Sequence, residues 1–391
     1  MQGLELVVLA GPHQRVMAPA SIVLKDNKQL NGVVWFKDDE HGSWLPADAW
    51  TNKDGKTELA FIVPHMHPYQ EIELELDANG PDWKDAIEKK MPVSISRQGD
   101  NSLAVKVLGE PLTNFHYNDA ERPYLFPLVG PQGQEMTRNY PCKEIEGETK
   151  DHPHHRSVWT AYGEVSEVDH WSVNGMHGMQ KVIGDPVFTS GVASGRIAVN
   201  VQWRNKFDDI EESLEEYREM RFHALPRGMQ SIDFDITLSA NHGDVLFGDT
   251  KEGGFLSVRV PTAMDGDKGG TIENCFGAKG EGECWGKQAP WCDYSGKVKG
   301  YHAGIAIMEH PRSFQYPTWW HVRDYGLFAA NPFGLKHFTG GARSGDYTLK
   351  NGESITFTYR LLIHPGDARG GKVAERYLDY IAPPKLVELD F

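Results

Sequence analysis

"SGRIAVNVQWRN" (194–205) and "GMQSIDFDITLSA" (228–240) alternate apolar and polar residues with a period of two, the pattern of half-buried β-strands. Between them runs "DIEESLEEYREMRFHAL" (209–225), charged enough for a helix but equally readable as part of a long strand pair joined by an acidic turn. Outward from this point the strand pattern recurs. "ELVVLA", "QEIELELDA", "NSLAVKVLG", "GFLSVRVP", "AGIAIME" and "SITFTYRLLIH" alternate or are rich in β-branched residues, and each is bounded by Gly, Asn, Asp or Pro. Helical signals are confined to "DWKDAIEKKM" (82–91), a short helix or turn, and "GKVAERYLDYIA" (371–382), a helix stopped by Pro383 and Pro384. Many strands with almost no βα alternation predict an all-β chain of stacked antiparallel sheets. The Gly-, Pro- and Asn-rich stretch "GEPLTNFHYNDAERPYLFPLVGPQG" (109–133) breaks the pattern. It predicts a small β-sandwich over 1–110 and a large one over 111–391.

The formal charge of −15 leaves nothing to neutralise phosphates, so a nucleic-acid partner is not expected. No apolar run reaches the roughly 18 residues of a membrane-spanning helix. "MQGLELVVLAG" (1–11) enters a strand directly, without a basic n-region or an h-region. The chain is therefore read as cytoplasmic or as an exported, periplasmic protein whose signal peptide has been removed, with the second reading preferred. Cys142, Cys275, Cys284 and Cys292 do not make a disulfide scaffold. Cys284 and Cys292 are near enough in sequence to pair, and free, partly buried thiols are the competing reading.

Four constellations carry chemistry. In "DHPHHRSVW" (151–159), Pro153 pushes His152 toward an extended backbone. In an extended segment His152, His154 and Arg156 share one face, and Asp151 and His155 the other. His152 and His154 can then bind one divalent metal ion from the same side, or a histidine moves a proton while Arg156 holds a negative group. A surface loop is the competing reading. In "LFGDTKEGGFLSVRV" (246–260), Asp249, Lys251 and Glu252 precede a Gly-Gly pair, as a pKa-tuned carboxylate group or as a polar β-turn. In "ECWGKQAPWCDYSG" (283–296), Trp285, Trp291 and Asp293 suit a sugar ring, which stacks on flat faces and bonds through its hydroxyls. A loop pinned to the core by its tryptophans is the alternative. "EHPRSFQYPTWWHVRDYGLFAANPFG" (309–334) holds Trp319, His321, Arg323, Tyr325 and Asn331, a polar density that implies a buried network or a ligand site. Arg122 and Tyr124, in "ERPYLFPLVGPQGQEMTRNYP" (121–141), add contacts to anions or hydroxyls.

Taken together, "RPYLFPLVGPQG", "TRNYP", "DHPHHRSVWTAYGEV", "GDTKEGGFLSVRV", "WGKQAPWCDYSG" and "WHVRDYGLFAANPFG" resemble the bacterial soluble domain family that carries the label "methane oxygenase PmoA". The resemblance covers roughly residues 110–370. It implies a β-rich protein of bacteria that degrade complex carbohydrates, with a large domain similar to the galactose-mutarotase-like β-supersandwich.

The expected function is a carbohydrate-active enzyme that breaks glycans by hydrolysis or elimination, in preference to epimerisation. The catalytic group expected is His154, His155, Glu252 and His321. Arg122, Tyr124, Arg156, Asp249, Lys251, Trp285, Trp291, Asp293, Trp319, Arg323, Tyr325 and Asn331 are expected to bind the saccharide. Two other readings stand beside it. One is an oxygenase with two histidines and a carboxylate around a metal ion. The other is a non-catalytic sugar-binding module. The proposed active site requires His154 to lie near Glu252, Trp285 and His321.

Overall fold

The computed structural model describes residues 3–25, 29–52, 54–205 and 212–389, and within them the chain is all-β, built from antiparallel sheets. Residues 206–211, where the acidic turn is expected, and the Met1–Gln2 start lie outside the described residues. The N-terminal sheet runs in the order Ala18–Val23, Thr57–Val63, Ser43–Thr51, Gly32–Asp38, Glu71–Asp77, Glu5–Leu9 and Lys385–Glu388. Its two edge strands touch, so a single sheet rolls around Leu6, Phe36, Leu59, Phe61 and Leu74 where two facing sheets are expected.

All but two of the remaining strands form two eight-stranded sheets stacked face to face; Val245–Phe247 and Tyr347–Leu349 pair as a separate two-stranded sheet. The front sheet runs Trp320–Val322, Leu327–Ala330, Gly253–Arg259, Val158–Tyr162, Tyr124–Leu125, Glu110–His116, Ser102–Val107 and Val93–Arg97. The back sheet runs Gly178–Thr189, Ser194–Asn205, Glu212–His223, Ser231–Ser239, Ser354–Pro365, Tyr301–Glu309, Trp291–Val298 and Thr271–Asn274. Alternate residues of both sheets fill the space between them: Phe115, Val158, Leu256 and Phe328 from the front, Ile197, Met220, Phe234 and Phe357 from the back.

The ambiguous acidic segment is a central strand of the back sheet. Glu212–His223 pairs with strands on both sides, Met220 standing opposite Ile197 and Phe234. Two of its inward positions are charged. Buried Glu216 accepts a bond from Trp203 Nε1 at 2.7 Å and pairs with Arg218 Nε at 2.6 Å. This internal ion pair interrupts an alternation that is otherwise regular.

Sheet membership changes between Asp77 and Val93, ahead of the expected division at 110. The hairpins over 93–116 place Val105, Leu112 and Phe115 in the core of the large unit, and the C-terminal strand returns to the N-terminal sheet. The C-terminal helix, Val373–Ile381, lies on the outer face of the back sheet through Val373, Tyr377 and Tyr380. All four cysteines are free, and Cys284 and Cys292 are buried as thiols. Among the described residues no helix is long and apolar enough to cross a membrane.

Candidate functional site

Strand register sets one cross-strand row on the outer face of the front sheet. His321 stands opposite Ala329, Ala329 opposite Ser257, Ser257 opposite Trp159, and Trp159 opposite Tyr124. Small side chains in the middle of the row, with Ala161 opposite Gly254 beside it, leave room between Trp159 and His321. The histidine segment and the aromatic loops fill that room.

Residues 151–157 form a turn and not the expected extended segment. His155 N donates to His152 O at 3.0 Å with Pro153 inside the turn, Arg156 N donates to His154 O at 3.1 Å, and His152 takes a positive φ of 42°. The predicted alternation of faces is therefore absent, and the three imidazoles gather. His152 stacks on His155 at 4.7 Å and on Tyr325 at 5.0 Å, and His154 meets His155 edge-on at 4.4 Å. Trp159 and Trp171 close on His155 from 5.2 and 5.5 Å.

Three buried arginines hold the turn. Arg122 donates to the carbonyls of His154, Trp171 and Ser172. Arg138 bonds Asp151 and the His152 carbonyl, and Arg259 donates to Asp151 at 2.8 Å and lies 3.1 Å from His155 Nδ1. Charge-assisted bonds of this kind contribute about 1.5–3 kcal/mol each.

Glu252 sits at the entry of the strand Gly253–Arg259, its carbonyl bonded by Gly163 N at 2.8 Å. Burial pushes its carboxyl up, but contact with the Lys251 ammonium and the nearby His321 and His154 outweigh this and hold it below the usual range. Burial drives His154 down to about 4, helped by Arg122 and His152 and opposed by Glu252. Burial likewise takes His321 to about 4 against the pull of Glu252, and takes His155 well below its ordinary value. At neutral pH all three imidazoles are uncharged bases beside one carboxylate.

The aromatic rim is built around Phe338, which stacks on Trp319 at 6.1 Å, meets Trp285 edge-on at 5.3 Å and lies 6.5 Å from His321. Tyr325 carries Arg259 at 4.8 Å and Arg323 at 5.6 Å over its ring. The structure thus brings together His152, His154, His155, Lys251, Glu252, Trp285, Trp319, His321, Arg323 and Tyr325.

Other expected residues have different work. Trp291 and Asp293 face the opposite side of the molecule, because their strand belongs to the back sheet. Trp291 packs under the C-terminal helix, and Asp293 is bonded to buried His364 at 2.6 Å. Asp249 accepts from the backbone of Lys336 and Gly345, and Asn331 spends its amide on the backbone of Thr250, Lys251, Phe333 and Gly334. Tyr124 and Arg156 lie at the far end of the row, the guanidinium 5.6 Å over the ring and 3.3 Å from Glu121.

The expected metal pair also fails on geometry. His152 Nδ1 faces Asp151 at 3.1 Å, and its ring is stacked on two aromatic neighbours. Among the described residues, no three His, Cys, Asp or Glu side chains are grouped to hold a metal ion. The donor set does not fit a two-histidine, one-carboxylate centre.

Trp159, Trp171 and Arg259 belong to the site and were not singled out from the sequence. Arg259 was legible in principle, as a charged residue in period-two step with Ser257 on an otherwise apolar strand. One more observation separates this face from ordinary packing. His154 Nδ1, His155 Nε2, His321 Nδ1, and the indole nitrogens of Trp159, Trp171 and Trp285 are all buried with no hydrogen-bond partner within the chain. Buried polar groups are nearly always bonded, so a concentration of exceptions marks a place where a ligand or water supplies the partners.

A family model described as "Family of unknown function (DUF6807)" matches residues 102–378. The chain belongs to this family. The DUF6807 match takes in the back sheet, the front sheet apart from its edge strand Val93–Arg97, and every residue of the candidate site, and leaves out the N-terminal sheet. No curated protein matches the sequence.

Proposed function

We propose that this DUF6807 protein is a carbohydrate-active enzyme that breaks a glycosidic bond through proton transfer, with elimination as the favoured route. The observation that carries the reading is the grouping of neutral His154 and His321 about Glu252, beneath the rim of Trp319, Trp285 and Tyr325. Glycosidases need two available carboxylates flanking the bond. Here Asp151 is committed to Arg138 and Arg259, Asp169 to Trp171 N and to Ser172, and Asp249 to backbone amides. Glu252, whose side chain contacts Lys251, is the carboxylate that acts electrostatically on both His154 and His321, and this grouping of one carboxylate with two imidazoles supports elimination over hydrolysis.

In this scheme His154, uncharged at neutral pH, takes the proton from the carbon next to a carbonyl group of the sugar. Glu252 stabilises the imidazolium that forms. Lys251 and Arg323 balance the negative charge that develops on the substrate. Tyr325, whose hydroxyl burial keeps protonated, supplies the proton to the leaving oxygen. The tryptophans position the ring.

The test is a screen of neutral and uronic-acid-containing glycans, read by mass spectrometry. Elimination gives fragments with no added water and a new carbon–carbon double bond; hydrolysis adds one water at the cleaved bond. Products that all carry an added water would sink the elimination route. Saturable binding with no product, unchanged by His154→Ala, would replace the enzyme by a binding module.

A further inference from the structure

A cavity of about 750 Å³, within the range of ligand-binding clefts, opens on the opposite side of the molecule from His154. Its floor is the outer face of the back sheet and its wall the N-terminal sheet, through Ser21, Glu58 and Ala60. We infer that this groove binds a neutral oligosaccharide, as a second site separate from the one around His154.

The ligand class follows from what the floor presents. The charged side chains there are compensated in place. Glu219 is paired with Arg196 at 2.6 Å and Arg221 at 3.1 Å, Asp233 with Arg360 at 2.6 Å and His223 at 2.9 Å, and Asp235 with Arg312 at 3.0 Å. Glu58, Asp185 and Asp379 are paired as well, with Arg221, Arg97 and Arg15, so among the described lining residues Asp54 at the rim is the one charged side chain without an ion pair. Next to these pairs the register sets Asn200, Tyr217, Thr237 and Thr356 in one row across four strands, all of them open to solvent or half-buried. Neighbouring members stand about 4.8 Å apart, the strand spacing.

Each group in the row both donates and accepts, as sugar hydroxyls do, and the Tyr217 ring, 38 % exposed, offers a flat face for sugar C–H groups. Two lining groups point to a ligand independently. Ser194 Oγ and Tyr380 Oη are buried and have no hydrogen-bond partner within the chain. This site takes its ligand class from its own floor, so it stands whatever the chemistry at His154.

Isothermal titration of the full chain with cellopentaose, maltopentaose, xylopentaose and a β-1,4-galactopentaose tests the inference. At least one should bind saturably. Tyr217→Ala, and separately Asn200→Ala, should weaken that binding about tenfold, the loss of roughly one stacking or hydrogen-bonding contact. Both residues are on the surface, so circular dichroism and the melting temperature should not change. His154→Ala and Trp319→Ala should leave the groove affinity as it was. Absence of binding by all four sugars overturns the inference. So does binding that Trp319→Ala removes while Tyr217→Ala and Asn200→Ala do not, which would place the sugar at the first site. Displacement of the bound pentaose by galacturonic acid oligomers at lower concentration than by the neutral sugar would overturn the neutral class.

Discussion

Glu252 differs from the carboxylates around it in what it is bonded to. Its side-chain partner is the ammonium of Lys251, and its other electrostatic neighbours are the imidazoles of His321 and His154. Glu252→Gln keeps the shape and removes the charge that would stabilise an imidazolium. Turnover should fall by a factor of about 10² or more, with melting temperature nearly unchanged because the side chain is partly exposed. A large drop in melting temperature at unchanged turnover would make Glu252 structural. The pH dependence follows from His154. As a base it works unprotonated, so kcat/KM should climb as pH rises through about 4 and then stay flat to neutrality. Because Glu252 raises the His154 value, Glu252→Gln should move that acid limb lower. The stability sign is also fixed. His154 and His321 bind protons less readily in the fold than in the unfolded chain. The stability present above about 6.5 is therefore lost as pH falls toward 4, which denaturant titrations at pH 7 and 5 would detect.

The strand that delivers Glu252 depends on a close approach. A Cβ on Gly253 would collide with the Tyr162 ring on the neighbouring strand. Tyr162 cannot retreat: it is packed against Phe247, Phe255 and Phe333, and its hydroxyl donates to Gly248 O at 2.7 Å. Gly253→Ala should therefore cost about 1–3 kcal/mol by overpacking and lower turnover with it, since Glu252 is the adjacent residue. Gly282→Ala, where a Cβ meets nothing, is the control and should change neither. Loss of stability with full turnover would show that this contact does not position Glu252. The same scale explains what the sequence could and could not convey. Period two was plain wherever inward positions were apolar, as in Ser231–Ser239. It was obscured in Glu212–His223 because a buried Glu216–Arg218 pair occupies two of them. The histidine turn is not legible from its proline, which fits an extended segment and a turn alike; the closing bond from His155 N to His152 O makes Pro153 a turn residue. Trp291 and Asp293 fall outside the site because local alternation separates two sides of a strand without saying which side meets which sheet.

At the scale of the molecule, a buried carboxylate helps tie the N-terminal sheet to the large sandwich. Buried Asp48 accepts backbone N–H bonds from Val192, Ala193 and Ser194 at 2.7, 2.8 and 2.8 Å, in the turn between the first two strands of the back sheet. Glu58 adds an ion pair to Arg221 at 3.2 Å, and Trp50 carries Arg196 and Arg221 over its ring at 4.5 and 4.9 Å. The two hydrophobic cores are separate clusters, with Ile62 packed against the larger one and buried Arg15 paired with Asp379 at 2.9 Å, so the junction depends on individual groups rather than on a continuous core. Asp48→Ala leaves three buried amides without an acceptor, at about 1–3 kcal/mol for each one that water cannot reach. The N-terminal sheet should then loosen before the sandwich does. Hydrogen exchange should rise over 3–77 and 385–388 while the front sheet keeps its protection, and calorimetry should resolve two transitions. Reaction at His154 should survive, because the front sheet meets this turn at its edge strand Val93–Arg97, away from the strands that carry the site. Oligosaccharide binding in the groove should weaken, because the N-terminal sheet is one of its walls. A single transition at the unmodified temperature would show that Asp48 is not what couples the two units.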